Sequence, residues 1–220
     1  MPGLKPFILT LLSLTIAGAV ADAALAEAYP ARPVRVVVPY PPGGSSDGVA
    51  RPFANALSKA LGQPFVVENK GGAAGSVGTE MVVKSPPDGY TLLFTPMGPL
   101  TIVPHLRKTP YDPAKDLVAI GKLGNTMTVM AVHPSMQVTD LKGLIEKLKA
   151  NPGKYYYGSA GLGSLQHLVW EVFKLKTGVD IVHVPYRGSA EAVNDLVAGR
   201  VQMMSELVTL PFIRSGQLTL

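Results

Sequence analysis

One pattern recurs along this chain and narrows its fold more than any other: a short β-branched run, a turn rich in glycine or serine, then a helix-forming stretch. Val34–Val38 reads Val-Arg-Val-Val-Val and predicts a buried strand. The loop Pro41-Pro42-Gly43-Gly44-Ser45-Ser46 follows, then a helical stretch over about 47–61, in which Pro52 should kink the helix or delay its start. Phe65-Val66-Val67 is a second strand, and a second glycine loop over 71–78 leads into a helix ending near Ser85. Pro86-Pro87-Asp88-Gly89 is a turn, and 90–94 a third strand. This βαβαβ order demands a parallel sheet with right-handed crossovers.

Beyond Pro110-Tyr111-Asp112-Pro113, segments 117–123 and 127–132 read as extended, and then the rhythm returns. Thr139 is placed as the cap of a helix over 141–150, closed by Asn151-Pro152-Gly153. Residues 155–157 form a strand, and 164–177 an amphipathic helix with Leu165, Leu168, Val169, Val172 and Phe173 on one face. A strand over 181–184, a helix over 189–198 and a strand over 201–204 complete the series. The expected fold is α/β with two lobes, 29–128 and 129–220, each a mostly parallel sheet flanked by helices, and a hinge near 126–133. Leu218-Thr219-Leu220 starts a further strand and stops, whereas strands usually run ~5–6 residues. The sequence therefore reads as unfinished at its C-terminus.

Residues 1–28 read as a secretory signal peptide. Lys5 supplies a positive start, 7–20 carry no charge, and small residues follow in Ala-x-Ala patterns, with cleavage expected after Ala28. The uncharged stretch is short for a membrane span. An exported protein, located in the periplasm, is the expectation. The chain has no cysteine, which excludes a disulfide scaffold, a zinc–thiolate or iron–sulfur centre, a cysteine nucleophile and a lipoprotein anchor. The net charge of +5 comes from scattered lysines and arginines, with Arg107-Lys108 the densest run, so nucleic acid is not an expected partner.

Four strand-to-helix junctions are rich in glycine and serine: 41–47, 71–76, 158–164 and 186–189. In an open parallel sheet such junctions share the carboxyl edge of the strands, where ligands bind. Glycines admit a ligand close to the backbone, and helix N-termini offer N–H groups and partial positive charge. Any single junction is equally well explained as a turn with a helix cap; the argument lies in having four. Arg187 alone among them is a full cation, which favours a carboxylate or other small anion over a polyphosphate.

The same loops lack a Walker A pattern and a G-x-G-x-x-G. Gly44-Ser45-Ser46-Asp47-Gly48 matches the G-x-S-x-G of a hydrolase elbow. It follows the first strand, several residues away from it, so Ser46 is better read as a helix cap. An exported serine hydrolase using Ser46 stays as an alternative, without a triad partner. His105, His133, His167 and His183 show no metal spacing; His167 follows the 158–164 loop and can face the cleft. Trp170 and the tyrosines fall within regular elements and read as core or sheet surface. No cofactor is implied.

Taken together, Arg32-Pro33-Val34-Arg35-Val36-Val37-Val38-Pro39-Tyr40-Pro41-Pro42-Gly43-Gly44-Ser45-Ser46-Asp47, Val67-Glu68-Asn69-Lys70, Pro87-Asp88-Gly89-Tyr90, Pro110-Tyr111-Asp112-Pro113, Tyr157-Gly158-Ser159-Ala160-Gly161 and Val184-Pro185-Tyr186-Arg187-Gly188 resemble, in order, the substrate-binding proteins of tripartite tricarboxylate transporters, the Bug family. The resemblance implies a monomeric periplasmic Venus-flytrap protein that binds a small carboxylate and hands it to the integral membrane subunits of a transporter. A sensory domain for a membrane kinase is the alternative within the same fold. By position, the ligand-binding residues implied are Tyr40, Pro42, Gly43, Gly44, Ser45, Ser46 and Asp47 in the first lobe. In the second they are Ser159, Ala160, Gly161, Gly163, Ser164 and His167, with Tyr186 and Arg187 at the rim. The sequence departs from the family at Ser205-Glu206, where Phe-Asp is usual, so Glu206 should alter the back of the cleft. Met97 stands where small polar residues are common, which hints at a more apolar ligand side chain.

Overall fold

The computed structural model describes residues 28–125 and 127–219. The expected signal peptide, Thr126 in the expected hinge and Leu220 lie outside the described residues, except for Ala28. Two units are distinguished, Met1–Ala31 and Arg32–Leu220. Of the first, only 28–31 are described, with a cis Tyr29–Pro30 bond.

Within Arg32–Leu220, the first half builds a three-stranded parallel sheet. Strands β1 (Val34–Val38), β2 (Phe65–Asn69) and β3 (Thr91–Leu93) are ordered β2-β1-β3, with Val36 opposite both Val67 and Leu92. The β-branched run of β1 takes the central position, and Val34, Val37 and Val38 are completely buried. Helix α1 (Ser45–Leu61) and helix α2 (Ser76–Val83) are the crossovers. The parallel βαβαβ arrangement read from the sequence is what forms.

Helix α1 corrects two expectations. It begins at Ser45, with Gly44 as its cap, so Ser46 is its second residue and not its cap. It also runs through Pro52 without delay. Pro52 and Gly48, whose carbonyl loses its partner, both lie on the exposed side, where water can satisfy that oxygen.

Short helices α3 (Val103–Leu106) and α4 (Pro113–Asp116) follow, the first entered through a π-type turn at Gly98–Ile102. Residues 117–125 form no strand, although the sequence reads as extended there. Val118 and Ile120 are 90% and 82% exposed, so this apolar stretch finds no strand to pair with among the described residues.

The second half builds a four-stranded sheet from β4 (Met130–Val132), β5 (Tyr156–Ser159), β6 (Val182–Pro185) and β7 (Met203–Ser205), in the order β4-β7-β5-β6. β5 is parallel to both β6 and β7, while β4 is antiparallel to β7. Thr219 makes one antiparallel bridge to Val132, which is as much of the expected last strand as the described residues contain. The sheet is covered on both faces: Met203 and Val132 join a cluster with Trp170, Tyr157 and Leu148, whereas Met204 and Ala131 join one with Ala192, Val193 and Leu196. That alternation is the period of two of a pleated strand.

Helices α5 (Leu141–Ala150), α6 (Leu165–Thr177), α7 (Ser189–Val197) and α8 (Leu210–Arg214) complete this half. The α5 cap is Asp140, which accepts the Gly143 N–H at 2.7 Å, and not Thr139. On α6 the expected inner face is corrected in part: Phe173 is buried as expected, whereas two of the aliphatic residues are not. Trp170 and Phe173 point inward, with Trp170 stacked on Tyr157 at 5.5 Å, while Leu168 and Val172 are 40% and 45% exposed. The helix is apolar on more than one side, so spacing alone could not choose; the larger rings, which bury more surface, take the core.

Candidate functional site

The 41–47 junction is held by Asp47. Its buried carboxylate accepts the Gly43 N–H at 3.1 Å, the Arg51 Nε–H at 2.9 Å and the Asn69 amide at 3.0 Å, with a terminal nitrogen of Arg51 in ion-pair contact at 2.9 Å. Burial alone would push this carboxyl up, but the bonds from Arg51, Gly43 and Asn69 outweigh it and hold Asp47 below the usual range. Asp47 thus pins the loop across helix α1 to the end of β2. Tyr40 extends from the end of β1, buried, and donates to the Ala74 carbonyl at 3.1 Å. Around Ala74 the backbone is strained: Ala73 and Ala74 both sit at φ +50, next to Gly72 and Gly75 at positive φ.

The 158–164 junction is organised by two serines. Ser164 caps α6, accepting the His167 N–H at 3.3 Å. Ser159, fully buried at the end of β5, accepts the Gly161 N–H at 3.1 Å and lies 2.7 Å from His183 Nε2. The His183 ring is sandwiched, 4.8 Å from Tyr157 and 4.4 Å from His167. Burial, aided by the neighbouring His167, pushes His183 down to about 4; burial also lowers His167.

The four junctions meet. A β-carbon on Gly44 would touch Ser189 Cβ at 3.6 Å, and one on Gly161 would lie 3.4 Å from the Tyr186 carbonyl and 3.5 Å from Ala74 Cβ. Pro41 fills the space between Gly71 and Gly188, whose added β-carbons would fall 2.7 and 2.8 Å from its ring. One on Gly98 would come within 3.2 Å of the Gly163 carbonyl and 3.3 Å of Tyr40 Oη. Ala160 packs with Tyr40, Val38 and Ala50 in one apolar cluster. Between the junctions opens a cavity of about 240 Å³ lined by Gly72, Ala73, Ala74, Arg107, Gly161, Leu162, Pro185, Tyr186 and Arg187. Arg107 donates to the Ala73 carbonyl at 2.6 Å and so fixes a guanidinium in the wall. Two cations and a glycine-rich backbone give this cavity a lining that would suit a small anion.

Glu206 is the residue after β7. It is 4% exposed, and burial raises it above the ordinary carboxyl range, offset only in part by the hydroxyls of Ser189 and Ser45. Oε2 of Glu206 and Oγ of Ser45 are both buried without a hydrogen-bond partner of good geometry.

Of the residues expected at the site, Gly161, Tyr186 and Arg187 line the cavity. Tyr40, Gly44, Ser45, Ala160, Gly163, Ser164 and Glu206 lie at the junctions just described, and Ser159, His167 and Asp47 act as supports behind them. Tyr186 is braced by its hydroxyl bond to Asp195 at 2.8 Å. Pro42 and Gly43 are exposed on the loop, Ser46 is half-buried in the first turn of α1, and Met97 is 49% exposed beside Gly98. With Pro41 to Gly44 between strand and helix, the geometry around Ser46 is not that of a nucleophile elbow. Sequence reasoning missed Gly72, Ala73, Ala74 and Arg107. The 71–76 glycine loop was the signal for the first three; Arg107 reaches the site from a distant helix end and had none. Among the described residues no group of three metal-ligating side chains comes together, and no helix is long and apolar enough to cross a membrane.

Residues 49–220 match the family model described as the tripartite tricarboxylate transporter family receptor. The chain is 41% identical to protein BugT of Bordetella pertussis over 216 residues, 96% of this chain and 66% of that protein. A solved periplasmic transporter structure is 45% identical with a TM-score of 0.85, covering 87% of this chain and 65% of that one. The Rhodopseudomonas palustris protein Rpa4515, solved with adipate, is 35% identical with a TM-score of 0.83, covering 86% and 64%. MatC from the same organism, solved with bound malate, is 29% identical with a TM-score of 0.79, covering 87% and 66%. The chain spans a little under two thirds of the length of these relatives.

Proposed function

The chain belongs to the tripartite tricarboxylate transporter receptor family, and from that premise we propose that it is a periplasmic solute-binding protein that captures a small carboxylate and passes it to a membrane transporter of the tripartite type. The observation that carries this reading is the convergence of four glycine- and serine-rich junctions on one cavity walled by Arg107 and Arg187. Adipate and malate bound in two related proteins support the ligand class. The work is binding, not catalysis. Segments 29–128 and 129–220 act as two lobes about a hinge near 126–133, and a ligand that touches both favours the closed arrangement. The protein acts as a monomer, exported by its signal peptide and released into the periplasm after Ala28.

The test is a thermal-shift screen of the chain against mono-, di- and tricarboxylates, with neutral sugars as controls. A ligand at a hundredfold excess over Kd stabilises by about 2.7 kcal/mol, which raises Tm by roughly 5–10 °C for a chain of this size. A rise confined to carboxylates is expected. A cooperative melt that no carboxylate moves refutes the reading.

A further inference from the structure

Pro41 meets two glycines, one from each half of the chain. A β-carbon on Gly71 would fall 2.7 Å from its ring, and one on Gly188 2.8 Å from it. Carbon atoms in contact sit about 3.5–4.0 Å apart, so neither position takes a side chain without something moving. Neither glycine is at positive φ, and Gly188 is extended at φ −170, so the backbone conformation gives no reason of its own for glycine there.

The two contacts differ in what could relieve them. Gly71 stands two residues beyond β2, in the same half as Pro41, so turning one lobe against the other leaves that contact as it is. Gly188 caps α7 in the second half and meets Pro41 across the seam between the halves. Beside it the seam is looser: β-carbons on Gly43 and Gly44 would stand 3.7 Å from Ala190 Cβ and 3.6 Å from Ser189 Cβ, at ordinary contact distance. Gly163 meets Val103 closely elsewhere on the seam, but at φ +94 it is glycine on backbone grounds as well. Gly188 directly follows Tyr186 and Arg187, which line the cavity together with Ala73, Ala74 and Arg107 of the first half. How near Gly188 comes to Pro41 therefore sets the width of that cavity.

We propose that Pro41 is a positioning residue for the cleft: its rigid ring, seated on the bare backbone of Gly188, is the stop at which the two lobes come to rest. The missing side chain at Gly188 is what lets them come so near. The inference rests on the two-lobe reading above and adds to it the contact that fixes the closed width.

The experiment measures the distance between two spin labels by pulsed electron resonance on the 220-residue chain. The chain has no cysteine, so Asn55→Cys on the exposed side of α1 and Leu175→Cys on that of α6 place one label on each lobe. In this background Gly188→Ala is expected to shift the distance distribution. Gly71→Ala, which collides with the same ring, is expected to lower Tm and leave the distribution in place. Pro41→Ala, which removes the ring and keeps the β-carbon, is expected to return the Gly188→Ala distribution to that of the parent. Should Gly188→Ala not melt cooperatively, Pro41→Ala alone carries the test, and the distribution is expected to broaden once the stop is gone. A distribution unchanged in both Gly188→Ala and Pro41→Ala overturns the inference, as does an equal shift from Gly71→Ala or a failure of the double variant to restore the parent's. Titration with adipate is read beside the distances: binding several-fold weaker in Gly188→Ala and recovered in the double variant is expected, and equal binding by parent and Gly188→Ala overturns the role in the cleft. Adipate and malate binding to none of these proteins counts against the carboxylate reading alone, and the distances still decide whether Pro41 is the stop.

Discussion

Ser159 Oγ lies 2.7 Å from His183 Nε2, and the same hydroxyl receives the Gly161 N–H that shapes the cavity wall. The ring of His183 is thus a strut behind the binding loop, held where charging is unfavourable. Burial and the neighbouring His167 push it down to about 4, from 6.5 in the unfolded chain. The unfolded state takes up the proton first as the pH falls. The stability His183 contributes is therefore complete above about pH 6.5 and lost on acidification toward 4. With the ring only half buried, that amounts to about 1–2 kcal/mol after allowance for solvent screening. Tm measured across this range should fall with pH, and His183→Gln should flatten the slope.

Asp47 links helix α1, β2 and the first glycine loop through its bonds to Arg51, Asn69 and Gly43. Asp47→Ala leaves these donors without their acceptor, at a cost of about 1–3 kcal/mol. A lower urea midpoint and loss of the carboxylate-induced thermal shift are both expected. Asp47→Asn, which keeps one acceptor oxygen, should fall between.

Gly163 sits at φ +94 with Val103 Cγ2 only 2.8 Å from the place its β-carbon would take. Gly163→Ala should destabilise the protein by about 1–3 kcal/mol through backbone strain and this collision. Removing the Val103 methyls in Gly163→Ala/Val103→Ala relieves the collision but not the strain. A double-mutant cycle by chemical denaturation should therefore show a favourable coupling between the two sites.

Arg107 and Arg187 are both exposed, but Arg107 is fixed against the Ala73 carbonyl. Arg107→Met should weaken carboxylate binding by about tenfold, or about 1.4 kcal/mol. Arg187→Met should cost less and mainly reduce the salt dependence, as expected of a screened exposed charge. Titration at two salt concentrations separates these outcomes.

The sheets were legible in the sequence because β-branched runs such as Val34–Val38 admit few other uses, and glycine-rich junctions punctuate them. Helix ends were legible only to within a residue or two. Asp47 and Asp140 both reach back to loop or first-turn N–H groups, so acidic and hydroxyl residues at neighbouring positions compete for the same role. The inner face of α6 was legible only in part: Phe173 is buried as expected, but Leu168 and Val172 are exposed, since the helix has more than one apolar side and the packing of Trp170 against Tyr157 decides between them. At the site, the glycine junctions announced themselves. The Ser159–His183 contact and the reach of Arg107 did not, because each joins residues far apart in the chain, where no local pattern speaks.

Pro41 occupies the space that a β-carbon on Gly71 or on Gly188 would need. For a lineage that explores sequences one substitution at a time, these three positions form a lock: a side chain at either glycine is blocked while the proline stands. The two loops are thereby shielded from gradual drift. Change at either glycine has to wait for change at Pro41.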